Sequence, residues 1–419
     1  MSRDAGARGE TATASLAGAN IIALAAMVAP PLAVFAPLGE AGLLALAAVL
    51  LVLLDPRGSL AACRRLAAPL ALLVALALWG AASALWSIVP GHSLFEALRF
   101  LGISAAGAVV LGEAGALAPG GRARVDAAVV AGAALAFVLL QLELWDGQAI
   151  GRWLHHIPEG RFFFYAYDRG VVMLVLIAWP VMALAHRRFG FWGPGAVAIL
   201  VLLTLAAFYS QAAVLAMVMG IAASVLAWRV PRFVATMMIV GAIASAFVLP
   251  SVLPDGETIA RWQAAVPMRK SGPHRLAIWH FVAARMSERP VLGWGMDASR
   301  AIPGGEALVQ DVVPALQLGP MAQILPLHPH NAALQWRLEL GVPGTVIALA
   351  FLALALSRAA GAVRRVSGLG FAGAGLIVAM LSYGAWQAWW LSSLWLGASF
   401  IAATATAPPE NRRRRGGAA

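Results

Sequence analysis

The stretch Leu325–Trp336, LPLHPHNAALQW, gathers two of the chain's eight histidines within three positions and follows them with an asparagine. An imidazole changes charge near neutral pH, and an asparagine amide can orient it or cap a helix. Pro329 steers His328 away from helical backbone, Asn331 is a good N-cap, and Ala332 to Leu340 can be helical. His330 then sits just before a helix N-terminus, where backbone N–H groups and the dipole favour anions and disfavour imidazolium. Nearby arginines push the same way, leaving a neutral imidazole that can accept a proton at neutral pH. Gly341, Pro343 and Gly344 interrupt the following segment and predict a kink.

Two blander readings compete for these residues. As plain structure, His330 and Asn331 cap a helix and bond a loop. Alternatively His328 and His330 join His274 or His280 around a metal, but no cysteine, no obvious carboxylate and no zinc spacing completes that set. The expectation is therefore no metal and no cofactor. Cys63 is the lone cysteine, so no disulfide can form within the chain.

The elements that must position this stretch are membrane helices. Of 419 residues 61% are hydrophobic and 12% charged, and the apolar runs are long enough to cross about 30 Å of hydrocarbon. No strand-like alternation suggests a β-barrel. The fold class expected is an all-α polytopic membrane protein of about twelve transmembrane helices, with one long outer loop containing interfacial helices. Candidate spans are 19–37, 41–54, 67–86, 98–112, 125–145, 169–185, 191–208, 212–228, 233–250, 337–357, 367–383 and 389–405. Those at 41–54 and 98–112 are short for a full crossing. The organisation reads as an N-terminal tail 1–18, retained rather than cleaved, nine spans over 19–250 with an outer loop 146–168, a long outer loop 251–336, three spans over 337–405 and a basic tail 406–419.

A formal charge of +11 would suggest nucleic acid in a soluble chain. With both tails inside, however, the inner connections hold Arg57, Arg64, Arg65, Arg122, Arg124, Arg187, Arg188, Arg229, Arg232, Arg358, Arg364 and Arg365. Outer connections 38–40 and 209–211 carry no Lys or Arg. This is the positive-inside pattern, and it accounts for most of the charge without a nucleic-acid partner. Two outer regions break the pattern, 146–169 with Arg152, Arg161 and Arg169, and 251–337 with Arg261, Arg269, Lys270, Arg275, Arg285, Arg289, Arg300 and Arg337. They suit a polyanion such as a lipid phosphate or pyrophosphate, or else they are the charges of a solvated loop.

Within the long loop, SGPHRLAIWHFVAARMSERP starts at Ser271 and Pro273 and stops at Pro290. Leu276, Trp279, Ala283 and Met286 fall on one stripe, which predicts an amphipathic helix in the outer interface with Trp279 as its anchor. Arg275 and Trp279 are four apart and can face one site. Gly293 and Gly295 flank Trp294 and predict a tight turn where backbone approaches a neighbour closely.

Taken in order, Trp279, Pro290, Gly293-Trp294-Gly295, His328-Pro-His330-Asn331 and Glu339-Leu-Gly341 resemble the O-antigen ligase and Wzy-type polymerase superfamily of bacterial membrane glycosyltransferases. The resemblance is strongest over about 271–345, and Arg169, in YDRGVVMLVLIAWP, matches a position where the family carries a functional arginine. It implies a GT-C-like enzyme of the inner membrane, with its active site on the periplasmic side. Glycan would pass from undecaprenyl pyrophosphate to an acceptor hydroxyl, on lipid A–core in ligases or another lipid-linked repeat in polymerases. It also implies catalysis without a metal. On this reading His330 is the general base, Asn331 orients it, and Arg275 and Arg169 stabilise the leaving pyrophosphate. Arg161, Arg261, Arg269 and Lys270 are further candidates for the substrate, with Trp279 and His328 beside them.

Rivals from other classes fit less well. A transporter or flippase for a lipid-linked sugar predicts polar groups deep within the spans and often an internal repeat. The spans here are mainly Ala, Leu and Val, and the ionisable residues gather at the outer edge. A purely structural assembly protein would not need the H-x-H-N element. Ligase, polymerase and protein-directed transferase share the layout, and the ligase reading is preferred.

Overall fold

A computed structural model describes residues 2–156, 164–266, 270–316, 318–319 and 322–404, with the side chains of 2–15 and 165 left aside. Every named element but short 3-10 turns is an α-helix. The first eleven are α1 (Ser2–Phe35), α2 (Gly39–Leu54), α3 (Pro56–Arg65), α4 (Ala67–Ala82), α5 (Pro90–Ala116), α6 (Pro119–Trp145), α7 (Ala149–His155), α8 (Asp168–Phe189), α9 (Trp192–Ala207), α10 (Gln211–Ala227) and α11 (Pro231–Phe247). The long loop adds α12 (Leu249–Val252), α13 (Gly256–Ala265), α14 (Ser271–Glu288) and α15 (Val309–Val312), and the chain ends with α16 (Ala332–Gly361), α17 (Arg365–Leu381) and α18 (Ala388–Ala403).

Each expected span coincides with an apolar helix, but they differ in length. Among the described residues six are long and apolar enough to cross a membrane: Leu16–Phe35, Ala67–Leu85, α5, α6, α8 and α16. The pair α2 and α3, bent by 118°, makes a seventh if counted as one span, and α9, α10, α11, α17 and α18 are shorter. The molecule is thus an all-helical multi-pass membrane protein with six or seven candidate spans. The segment 98–112, expected to be short, belongs to the 27-residue α5, because Pro90 starts the helix eight residues earlier. The segment 41–54 is the 16-residue α2, short as expected, and α9, α10, α11, α17 and α18 have 16 or 17 residues each.

Helix α8 is the most enclosed candidate span, 72% of its apolar window being buried, so its first turn lies at the middle of one end of the bundle. Small residues let backbones approach elsewhere: a Cβ on Gly132 in α6 would come within 2.5 Å of the Ala26 carbonyl oxygen in α1. Polar contacts gather at the two ends. At one end Arg122 donates to the carbonyls of Ala402 and Ala403, Arg124 to Asn20, and Arg187 pairs with Asp126. At the other, the Ser93 hydroxyl donates to Met296 O at 2.8 Å and the Trp86 indole to Leu292 O at 3.1 Å, so the long loop is tied to the start of α5.

Helix α14 packs one face on the protein and leaves His280, Ala284, Ser287 and Glu288 exposed. Its inward stripe is Ile278, Val282 and Met286, which pack with Trp294, Ala298, Ile302, Leu325, Leu334 and Leu338. Of the expected stripe only Met286 is buried; Leu276, Trp279 and Ala283 are half-buried. The Trp279 indole donates to Pro329 O at 2.9 Å and so ties α14 to the histidine stretch. The apolar positions of α14 serve a protein neighbour, which periodicity alone cannot distinguish from a lipid one.

The predicted kink in α16 is present. Gly341 adopts φ 63° and ψ −157° inside the helix. The backbone groups freed there find partners nearby, as buried polar groups in a membrane must. Leu340 O accepts the Trp79 indole at 2.9 Å, Gly341 O accepts the Thr345 hydroxyl at 2.6 Å, and Val342 N donates to Val291 O at 3.0 Å. One turn earlier, Trp294 N and Gly295 N donate to Leu338 O and Glu339 O at 3.0 and 2.8 Å. The Gly-Trp-Gly turn is therefore docked on the kink.

A Cβ on Gly341 would collide with the Val291 carbonyl oxygen, and its positive φ adds strain to any side chain. Gly341→Ala is expected to lower the detergent melting temperature by about 5 °C or more. A melt within a degree of the parent would show that the loop does not hold the kink.

Candidate active site

Asn331 starts the site by capping α16: its backbone is extended and its side-chain oxygen accepts from Leu334 N at 3.1 Å. The amide also donates to the Ser245 hydroxyl at 3.0 Å, fixing the cap to α11. Immediately before it, His330 takes a left-handed φ of 54°, unusual for a residue other than glycine. That conformation turns the chain so that His330 N donates to His328 Nδ1 at 3.2 Å, with the two rings 4.4 Å apart. Trp279 holds the proline between them.

The ring of His330 meets the connection between α17 and α18. Its Nδ1 lies 2.6 Å from Ser382 O, and a carbonyl can only accept, so Nδ1 carries the proton. The neutral imidazole then has its lone pair on Nε2. The His330 pKa is lowered to about 4, by burial first and by Arg275 and His274 after it, against the opposing Ser382 bond. Helix polarity and arginine charge were expected to do this, yet burial is the largest cause. His328 is lowered to about 3, by burial first and then by His330 and Arg300. Its Nε2 stands 3.3 Å from Gln387 Nε2.

The connection that receives His330 is itself anchored to α16. Gln335 accepts from Ala385 N at 2.8 Å and donates to Glu339 at 3.0 Å. Glu339 is fully buried and also accepts from Trp386 Nε1 at 2.5 Å, from Asp297 N at 2.8 Å, and from the Ser299 amide and hydroxyl. One carboxylate thus joins α16, the Gly-Trp-Gly turn and the 382–387 connection.

Two arginines approach from other elements. Arg275, on the first turns of α14, lies within electrostatic reach of both His330 and Asp168. Asp168 opens α8 and accepts from the Ser210 hydroxyl. Arg169, the next residue, sits over the Trp389 ring at 5.5 Å and within electrostatic reach of Tyr383. His330, Arg275 and Arg169, far apart in sequence, therefore gather around the start of α8, with Asn331 and His328 beside them.

The remaining candidates separate. Arg261 bonds Thr258 within exposed α13, and Lys270 is exposed at the start of α14. Arg161 and Arg269 lie outside the described residues. Several basic residues of the loop serve structure: Arg289 donates to Trp86 O and stacks on Trp294, Arg337 binds Pro290 O, and Arg285 pairs with Glu288. Sequence reasoning gave no role to Asp168, Gln335, Ser382 or Gln387. The adjacent Asp-Arg pair of YDRG and a Gln and Glu four apart in an apolar helix were the available signals. Ser382 acts through its carbonyl, which no residue type reveals.

Among the described residues the one group with metal-ligand spacing is His92, Glu96 and Asp297, whose ligand atoms lie within 4.8 Å of one another. Those atoms are already engaged, His92 with Asp297 at 2.9 Å and Glu96 with Arg99. The two histidines of the opening stretch are not part of it.

Residues 196–349 match the Wzy_C family, described as O-antigen ligase. A Rickettsia conorii protein named as a candidate polysaccharide ligase is 28% identical over 283 residues, 66% of each chain and so just under two thirds of that protein's length. Similarly named proteins of Rickettsia bellii and Rickettsia felis are 28% and 26% identical over 330 and 335 residues, 76% of each chain. The matched region runs from within α9 past the kink of α16 and contains His330, Asn331, Arg275 and Glu339. Over residues 196–349 this multi-pass membrane protein is similar to the O-antigen ligase family.

Proposed function

We propose that the chain transfers a glycan from undecaprenyl pyrophosphate to a hydroxyl of lipid A–core at the periplasmic face of the bacterial inner membrane. The observation that carries this reading is a half-buried, neutral His330 with its Nδ1 proton held by Ser382 O and a guanidinium, Arg275, within electrostatic reach. On this reading the twelve apolar helices are twelve crossings with both tails cytoplasmic, and the end that carries His330 faces the periplasm.

The acceptor hydroxyl gives its proton to His330 Nε2 as its oxygen attacks the anomeric carbon. The bond from that carbon to the pyrophosphate oxygen breaks, and attack opposite the leaving group inverts the centre. Negative charge grows on the pyrophosphate as it departs, and Arg275 and Arg169 stabilise it there, more strongly than in water because the site is largely shielded. Trp389 beneath the Arg169 guanidinium and Asp168 beside Arg275 fix both cations without neutralising the site. Asn331 holds the helix start on which His330 depends.

With a lipid-linked donor and lipid A–core acceptor supplied to the purified protein, His330→Ala is expected to lose about 10²–10⁴-fold in transfer rate. Arg275→Ala is expected to lose about 10²–10³-fold. Near-parental transfer by His330→Ala would remove it as the base.

The base must be neutral, and its pKa is lowered to about 4 from the ordinary histidine value. The rate should therefore stay level as pH falls through 6.5 and decline only towards 4. A midpoint near 6.5 in kcat/KM would contradict the half-buried, neutral His330.

Deleting the gene should leave free lipid A–core without O-antigen on a lipopolysaccharide gel. Core carrying a single repeat unit would instead make the protein a polymerase of the same superfamily.

A further inference from the structure

Of the two cations placed on the pyrophosphate, Arg169 is the one its own neighbours hold least. Among the described residues its half-buried guanidinium makes no hydrogen bond or ion pair; it lies over the Trp389 ring at 5.5 Å. A ring face attracts a cation without the directionality of a hydrogen bond. Where the guanidinium stands is therefore set by the backbone at the start of α8.

That backbone is clamped on both sides of Arg169. One residue after it, Gly170 packs so close to α1 that a Cβ would come within 2.9 Å of Val34 Cα. Two residues before it, Tyr167 is buried, with its ring against Phe35 and Phe208. The Tyr167 hydroxyl donates to Glu143 near the end of α6. Glu143 is fully buried, and the same carboxylate accepts from Ile150 N and Gly151 N at 3.1 Å each. Capping α7 takes only those two amides; the hydroxyl is the bond that reaches α8. Burial first, and then Glu143, push the Tyr167 phenol up, so the hydroxyl stays a donor. The fit is tight, since a Cβ on Gly151 would land on that hydroxyl.

We infer that Glu143 and Tyr167 are positioning residues for Arg169, holding the first turn of α8 where its guanidinium meets the leaving pyrophosphate. This rests on the role proposed for Arg169 and adds what places it. Neither residue touches the substrate.

The test is a double-mutant cycle on the full chain in nanodiscs, read by glycan transfer and by binding of inorganic pyrophosphate. Tyr167→Phe keeps the buried ring and removes only the hydroxyl. It should lower kcat about tenfold and leave the acceptor KM unchanged. Arg169→Ala should lose about 10²-fold. The double variant should be no slower than Arg169→Ala alone, because the hydroxyl acts only through that guanidinium. Losses that multiply, to about 10³-fold together, are what a merely structural role gives and would overturn the inference. Gly151→Ala pushes the hydroxyl off Glu143 without altering either residue. It should reproduce the Tyr167→Phe loss and add little on top of it; a full further loss in that background would also overturn the inference. Parental transfer by Arg169→Ala would remove the role on which it rests. Pyrophosphate binding should show the same non-additive pattern. That pattern in a protein that transfers no glycan would uphold the positioning and refute the glycosyltransferase reading instead.

Discussion

The Glu339 carboxylate is the constraint on which the site depends. A buried polar group is tolerated only when its lone pairs are satisfied, and here five donors from three separate segments converge on it. Each donor belongs to an element the site needs. Asp297 and Ser299 bring the end of the Gly-Trp-Gly turn, Trp386 brings the α17–α18 connection, and Gln335 extends the network to Ala385. That same connection presents Ser382 O to His330. The tautomer of the candidate base thus depends on a carboxylate nine residues away that does not touch it.

Around this hub, positive charge is divided between structure and chemistry. Arg289 and Arg337 spend their donors on backbone carbonyls, and Arg285 is paired with Glu288. The basic character of the long loop is therefore partly the cohesion of the loop itself. Arg275 and Arg169 have other partners: Arg275 has Ser271 O at 3.5 Å and the Asp168 carboxylate at electrostatic distance, and Arg169 lies over an aromatic face. Apolar burial around the histidines completes the arrangement by holding both imidazoles neutral next to cations.

Much of this was legible in the sequence because it is local. Apolar runs marked the helices, Asn331 its cap, Gly341 the kink, and the two glycines around Trp294 their turn. What escaped was non-local. The sequence cannot say that Ile278, Val282 and Met286 face protein and not lipid, since both demand apolar residues. Nor can it say that Ser382 O meets His330, because a backbone carbonyl has no residue signature. Helix lengths were misjudged where a proline extended α5 beyond its apolar run.

The docking of the Gly-Trp-Gly turn on the kink has a consequence for how such a chain can drift. Gly293 has no room for a Cβ beside Glu339 O, and Gly341 has none beside Val291 O. The two backbones are locked face to face, and the Glu339 carboxylate is set between them. A change at any one of these positions is harmful unless the others move with it, so their effects are strongly non-additive. They behave as a single heritable unit. On lipid-facing surfaces one apolar residue serves nearly as well as another, so single changes there act independently of one another.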